Sequence, residues 1–229
     1  MTRLLSKAVL RRDLSVDALR ALLVPRGQGA RAGASHHLLW SLFSDSADRD
    51  RDFLWREHAP GEFYLLSARE PVDRHGFFDI LPSKRYAPEL QSGDRLRFEL
   101  RVNATVSRST GPSTRGARSD IVMHAIHGLH GDARAEARRE AVQQVAVDWL
   151  SKQGERHGFA VAELDVRAYE VLQVARSGAS SATFGVLDLA GIVQVQEAAR
   201  FCDVLLNGIG RAKAFGCGLM MVRRVQPVR

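Results

Sequence analysis

The sequence predicts an α+β protein made of two tandem β-α-β-β-α-β units. Three observations carry this. Residues 95–102 alternate charged and apolar side chains, the period of a half-buried strand. Residues 133–152 place Ala, Val and Leu on one side of a helix and Arg and Glu on the other. In each half of the chain, strand-like runs are interleaved with helical stretches in the same order, which is that of a ferredoxin-like (RRM-like) unit.

The first unit is expected over residues 1–106. Residues 3–10 (RLLSKAVL) read as its opening strand. Ser15 caps a helix with Val16, Leu19, Leu22 and Leu23 on one face. A loop with glycines and arginines covers 25–34, and Ser35 caps a second helix, 36–43, with Leu39, Leu42 and Phe43 inward. Strands near 52–57 and 62–69 join through the turn signal Pro60-Gly61. A short helical piece at 81–91 leads to the alternating strand 95–102, which closes the unit. Residues 107–119 (SRSTGPSTRGARS) are basic and rich in turn formers, and read as a linker. The second unit is expected over 120–229. It holds a strand at 121–127, the 133–152 helix, strands at 161–175 and 181–189 joined through Ser177 to Ser180, a helix at 192–206 with Ile192, Val195, Ala199, Val204 and Leu205 as its apolar set, and a last strand at 218–225.

Composition narrows the function. The chain has 229 residues, a formal charge of +7 and a pI near 10.1, which draws polyanions, nucleic acid first and an anionic membrane surface second. No run approaches the ~18 apolar residues a membrane span needs. Lys7, Arg11, Arg12 and Asp13 interrupt any apolar leader core, so no export signal is expected. Cys202 and Cys217 form no CxxC pair, which argues against a zinc site or disulfide framework and fits a reducing cytoplasm.

The sharpest local feature is Gly208-Ile209-Gly210-Arg211-Ala212-Lys213-Ala214-Phe215-Gly216-Cys217-Gly218. It is not a dinucleotide fingerprint, because Lys213 replaces the third glycine and a helix, not a strand, precedes it. Nor is it a phosphate-binding P-loop, because no Gly-Lys-Ser/Thr occurs. Successive backbone N–H groups beside Arg211 and Lys213 suit an anion. The plainer alternative is a tight turn packed against a neighbour.

This segment resembles the glycine-rich loop of the CasE family of CRISPR-associated endoribonucleases. Other matches are Leu5-Ser6-Lys7, the His-x-x-Leu-Trp run from His36 to Trp40, Arg51 to Leu54, and Arg101-Val102-Asn103 at the end of the alternating strand. The resemblance covers nearly the whole chain. It implies two ferredoxin-like domains and a metal-independent RNA endonuclease that needs no cofactor. The family cuts a CRISPR repeat hairpin to leave a 2′,3′-cyclic phosphate, and remains bound as a subunit of the type I-E Cascade complex beside the backbone subunit.

The chemistry at His36 also stands on its own terms. RNA is cut without metal when its 2′-OH attacks the adjacent phosphate. The enzyme then removes one proton, supplies another and stabilises the phosphorane charge. Histidine suits proton transfer near neutrality. Just after a cap at Ser35, His36 would feel the positive helix end, with Arg26 and Arg31 on the preceding loop adding charge. The competing explanation is a histidine that only covers the core edge beside positions 39 and 43. His37 competes for the role, and the family spacing selects His36. The chain has no tyrosine nearby, and Ser41 stands where a lysine is sought.

Other constellations are weaker. His124, His127 and His130 recur every third residue, but Gly128 and Gly131 break a continuous helix, so no metal is assigned. Asp45, Asp48, Asp50 and Asp52 alternate with Arg49 and Arg51 and read as a solvated loop. Aromatics are 7% of the chain and the aromatic platform of RNA-recognition motifs is missing, so a duplex stem read through phosphates is favoured over single strands. Arg108, Arg115, Arg118, Arg134, Arg138, Arg139, Arg167 and Arg176 are candidates for that contact, each also explicable as a solvated arginine. Two other classes stay open: a hairpin-binding subunit without cleavage, and a metal-dependent hydrolase using the histidine triplet.

Overall fold

The computed structural model describes residues 3–12, 27–44, 50–108, 117–175 and 181–225. The first sheet contains β1 (Arg3–Leu10), β2 (Phe53–Ala59), β3 (Glu62–Ser67), β4 (Phe78–Ile80) and β5 (Lys84–Tyr86). Its order is β2-β3-β1-β4, with β5 also on β1, and its pairings are antiparallel. The opening strand thus sits between the third strand and the last ones, which is ferredoxin-like topology. Helix α1 (Gln28–Ser41) lays Leu38, Leu39 and Leu42 into a core with Phe43, Phe53, Trp55, Phe63, Leu65 and Phe78.

The second sheet has the order β11-β6-β10-β9, built from β6 (Arg95–Val102), β9 (Phe159–Ala175), β10 (Ser181–Val195) and β11 (Met220–Arg224). Again the first strand lies between the third and the fourth. Helices α3 (Gly131–His157) and α4 (Ala198–Asn207) supply its two crossovers. Between β6 and α3 the chain forms a small hairpin, β7 (Thr105–Arg108) with β8 (Ala117–Asp120), and a short helix α2 (Ile121–Ala125). Contacts divide the chain into two compact units. One comprises Met1–Pro88, Leu172–Thr183 and Ala212–Leu219, and the other Glu89–Val171, Phe184–Arg211 and Met220–Arg229.

Both ferredoxin-like units are present, but several elements differ from the sequence reading. The alternating strand does not close the first unit. It opens the second, with Leu100 opposite both Leu189 and Met220. No helix forms over 81–91: Pro82 and Pro88 oppose it, and β5 between them pairs with β1 instead. Residues 121–125 are helical, not extended, because the Asp120 carboxylate accepts from the Val122 and Met123 amides at 2.9 Å each. Ile192 and Val195 belong to β10, and α4 starts only at Ala198. Residues 107, 108 and 117–119 of the expected linker are strand, and 109–116 lie outside the described residues. The expected helix after Ser15 and the turn at Ser177 to Ser180 also lie outside them.

The largest correction is at α1. The helix begins after Gly27, so residues 28–34 are helical and Ser35 is a buried residue of its interior. The glycines that read locally as loop formers serve packing. A Cβ on Gly29 would collide with the Gln173 carbonyl, and one on Gly33 would touch Val174 at 3.4 Å. Small residues let a helix approach a strand closely, and the alanines between them favour helix.

Candidate active site

His36 lies on the third turn of α1, half-buried, with ring centroids 5.8 Å from Phe215, 6.4 Å from Trp40 and 5.4 Å from His37. Because the helix starts two turns earlier, the helix-end field expected from Ser35 does not act here. Burial, not the dipole, is the first cause that lowers its pKa below the usual 6.5, followed by the charges of His37 and Arg51. A hydrogen bond to the Ala214 backbone opposes this. Nδ1 is buried and has no partner among the described residues. With one ring nitrogen engaged by a carbonyl and the other unengaged, the neutral ring carries its lone pair on Nδ1. That is the form a general base requires.

The glycine-rich segment holds Ala214 in place. Trp55 Nε1 donates to the Ala214 carbonyl at 3.2 Å, and Phe215 N donates to Ala212 O at 2.8 Å within a short 3-10 turn, Lys213–Phe215. Gly216 has φ +76°, and a Cβ there would lie 2.8 Å from the Trp55 ring. Gly210, at φ +74°, meets Val102 and Trp149 in the same way. Tight packing therefore accounts for these two glycines. Beside them the turn sets Lys213, half-buried, where desolvation and then Arg51 lower its pKa.

Arg51 is the residue that the sequence reading misses. It is half-buried rather than solvated, and its Nη1 is buried without a partner among the described residues. Asp52, its neighbour, is engaged by Arg69 Nε at 2.9 Å and so does not neutralise it. The available signal is position: residue 51 stands two places before the buried triplet Phe53-Leu54-Trp55, which anchors the strand entrance. The alternating charges mask it.

The other candidates are more dispersed. Arg31 is on α1 and pairs with Glu57 at 3.2 Å. Arg167 is exposed on β9 and pairs with Glu99 at 3.3 Å. Arg118 is exposed on β8, and Arg211 is exposed at a bridge to Asn103. Gly208 ends α4 with φ +76°. Arg26, Arg115 and Arg176 lie outside the described residues. His124, His127 and His130 are exposed, and no group of three or more His, Cys, Asp or Glu able to hold a metal occurs among the described residues.

Comparison with known proteins adds a family. The CasE subunit of the Cascade CRISPR system of Escherichia coli K12 is 27% identical over 191 residues, covering 81% of this chain and 88% of that protein. The CRISPR-associated endoribonuclease Cse3 of Thermus thermophilus is 25% identical over 228 residues, covering 89% and 97%. The structure of a Cse3 endoribonuclease bound to a 19-nucleotide RNA superposes with a TM-score of 0.69 at 24% identity, covering 97% of this chain and 98% of that one. The model of the CRISPR associated protein family matches residues 5–224. The chain therefore belongs to the CRISPR associated protein family, as a member of CasE type.

Proposed function

We propose that this protein is an endoribonuclease that cuts the stem-loop of CRISPR repeat RNA and stays on the product as a subunit of Cascade. The observation that carries the reading is His36: a half-buried imidazole with a lowered pKa, a buried Nδ1 unengaged among the described residues, and the charge of Arg51 acting on it. The neutral ring takes the proton of the attacking 2′-OH, the O2′–P bond forms, and the bond to the 5′ oxygen breaks, that oxygen taking a proton from water, to leave a 2′,3′-cyclic phosphate and a 5′-hydroxyl. The nucleophile comes from the RNA, so the reaction asks of the protein only proton transfer and charge stabilisation, and needs no metal. The CasE and Cse3 relatives, named as Cascade subunit and endoribonuclease, support the same assignment.

The hairpin is held through its phosphates by basic residues. In our reading these are Arg26, Arg31, Arg115, Arg118, Arg167 and Arg176, together with Arg211 and Lys213 beside Gly208, while Gly210 and Gly216 serve by shaping the turn that carries the two cations. Other Cascade subunits, the backbone subunit foremost, are the protein partners. The cytoplasm is the compartment we assign. Neither cysteine is in a disulfide, and among the described residues no helix is long and apolar enough to cross a membrane.

The test is incubation with repeat RNA from the adjacent locus in EDTA, followed by analysis of the ends. A single cut with a 2′,3′-cyclic phosphate is expected, and cleavage that stops in chelator contradicts the mechanism. One observation favours a second reading: α1 carries neither tyrosine nor lysine beside His36. Tight binding of the hairpin without any cut would identify a structural, hairpin-capping subunit.

A further inference from the structure

Arg51 is a cation held where a cation is costly. Its Nη1 is buried with no hydrogen-bond partner among the described residues, and an unsatisfied buried donor costs stability in the free protein, a cost a bound acceptor offsets. Asp52 is held by Arg69 through Nε at 2.9 Å, and Glu57 by Arg31 at 3.2 Å. Among the described residues, no carboxylate is among the charges that shift His36 or Arg51.

The position is fixed by packing. Phe53, two residues on, stacks on Phe43 at 4.4 Å and meets Trp40 edge-on at 5.5 Å. Trp40 is one turn after His36 on α1 and lies edge-on to its ring. The strand entrance is thereby tied to the helical turn that carries the histidine. From there the charge of Arg51 disfavours the protonated forms of both His36 and Lys213. Among the described residues, two buried nitrogens here, Nδ1 of His36 and Nη1 of Arg51, lack partners.

We propose that Arg51 holds the scissile phosphate, its guanidinium donating to the non-bridging oxygens while the unengaged nitrogen of His36 receives the 2′-OH proton. This rests on the cleavage reading above and names the group that stabilises its transition state. As the O2′–P bond forms and the bond to O5′ breaks, charge grows on those oxygens. The planar fork of an arginine meets two of them at once, which a lysine does not. Arg51 thus supplies the electrostatic help that no lysine or tyrosine of α1 provides.

The test uses Arg51→Gln and Arg51→Lys in the full chain, each checked by melting temperature. Single-turnover cutting of the repeat hairpin should fall about 10²–10³-fold in Arg51→Gln, the scale of losing one preorganised donor to a developing oxyanion, and less in Arg51→Lys. Hairpins carrying one or the other phosphorothioate diastereomer at the cut separate contact from structure. The wild type should prefer one diastereomer, and Arg51→Gln should lose the preference. A second readout needs no cutting. The wild type should bind a hairpin ending in a 3′-phosphate more tightly than one ending in a 3′-hydroxyl, and Arg51→Gln should bind both alike. Wild-type cutting by Arg51→Gln, or slow cutting with the diastereomer preference intact, overturns the proposal and leaves the endonuclease reading standing. If the wild type binds but never cuts, the endonuclease reading fails. Arg51 is then judged by the terminal-phosphate preference alone: its loss in Arg51→Gln supports the contact, and its retention refutes it.

Discussion

In the second unit, Arg101 reaches Asp188 through Nη1 and Glu170 through Nη2, the latter at 3.1 Å, so its charge is matched by two carboxylates on neighbouring strands. In the first unit, the charge of Arg51 acts on His36 and Lys213, and one of its nitrogens is buried and unbonded among the described residues. Both arginines are partly sheltered from solvent, yet among the described residues only Arg101 finds its anion in the fold. A compensated arginine holds strands together. An uncompensated one, acting on a neutral imidazole, keeps a donor for a phosphate from outside.

The sharpest way to break the comparison is at the histidine. His36→Ala should cut the bound hairpin about 10²–10⁴-fold more slowly with affinity nearly unchanged, whereas His37→Ala, whose ring is exposed, should do much less. Comparable losses in both would remove the distinction between them. Gly216→Val comes next. It forces a branched residue into φ +76° and against the Trp55 ring, and should cost about 3 kcal/mol of stability. Because Trp55 anchors Ala214, cutting should fall further than the lost folded fraction explains, and thermal melts beside single-turnover rates separate the two. In the second unit, Arg101→Ala should lower stability by about 1–2 kcal/mol, since it strands two partly exposed carboxylates. Its cutting rate on bound hairpin should stay that of the wild type.

The pH profile sharpens the first-unit side. With the His36 pKa lowered, the neutral base persists to more acid pH, so the acid limb of cutting should lie below 6.5. A limb at or above 6.5 would mean that the titrating group is not this buried imidazole. The smallest effect belongs to exposed Arg118, where Arg118→Ala should reduce the slope of log affinity against log salt by about one. An unchanged slope would take β8 out of the RNA interface.

The alternating strand 95–102 and the long amphipathic helix are legible in the sequence because their periods are set by burial on one face. Their partners are not, since period says nothing of which strand pairs alongside. Thus β6 opens the second sheet although it follows the first unit in sequence. Helix α1 reads too short because Gly29 and Gly33 mark loops locally, while in the fold they admit the backbone near Gln173. Residue type and spacing find His36, but the cause they suggest for its pKa, a helix end, gives way to burial. Arg51 is hidden in a run of alternating charges. Whether an arginine is matched by a carboxylate depends on contacts such as Arg69 to Asp52, made from another part of the chain.

The most direct measurement is single-turnover cutting, in EDTA, of a repeat hairpin with a single 2′-deoxy nucleotide just upstream of the cut. Wild-type affinity and no cleavage are expected, because the attacking oxygen is gone, while the all-ribose hairpin is cut to a 2′,3′-cyclic phosphate. Cleavage of the deoxy hairpin would contradict the mechanism, since a nucleophile other than the RNA's own hydroxyl would then be at work.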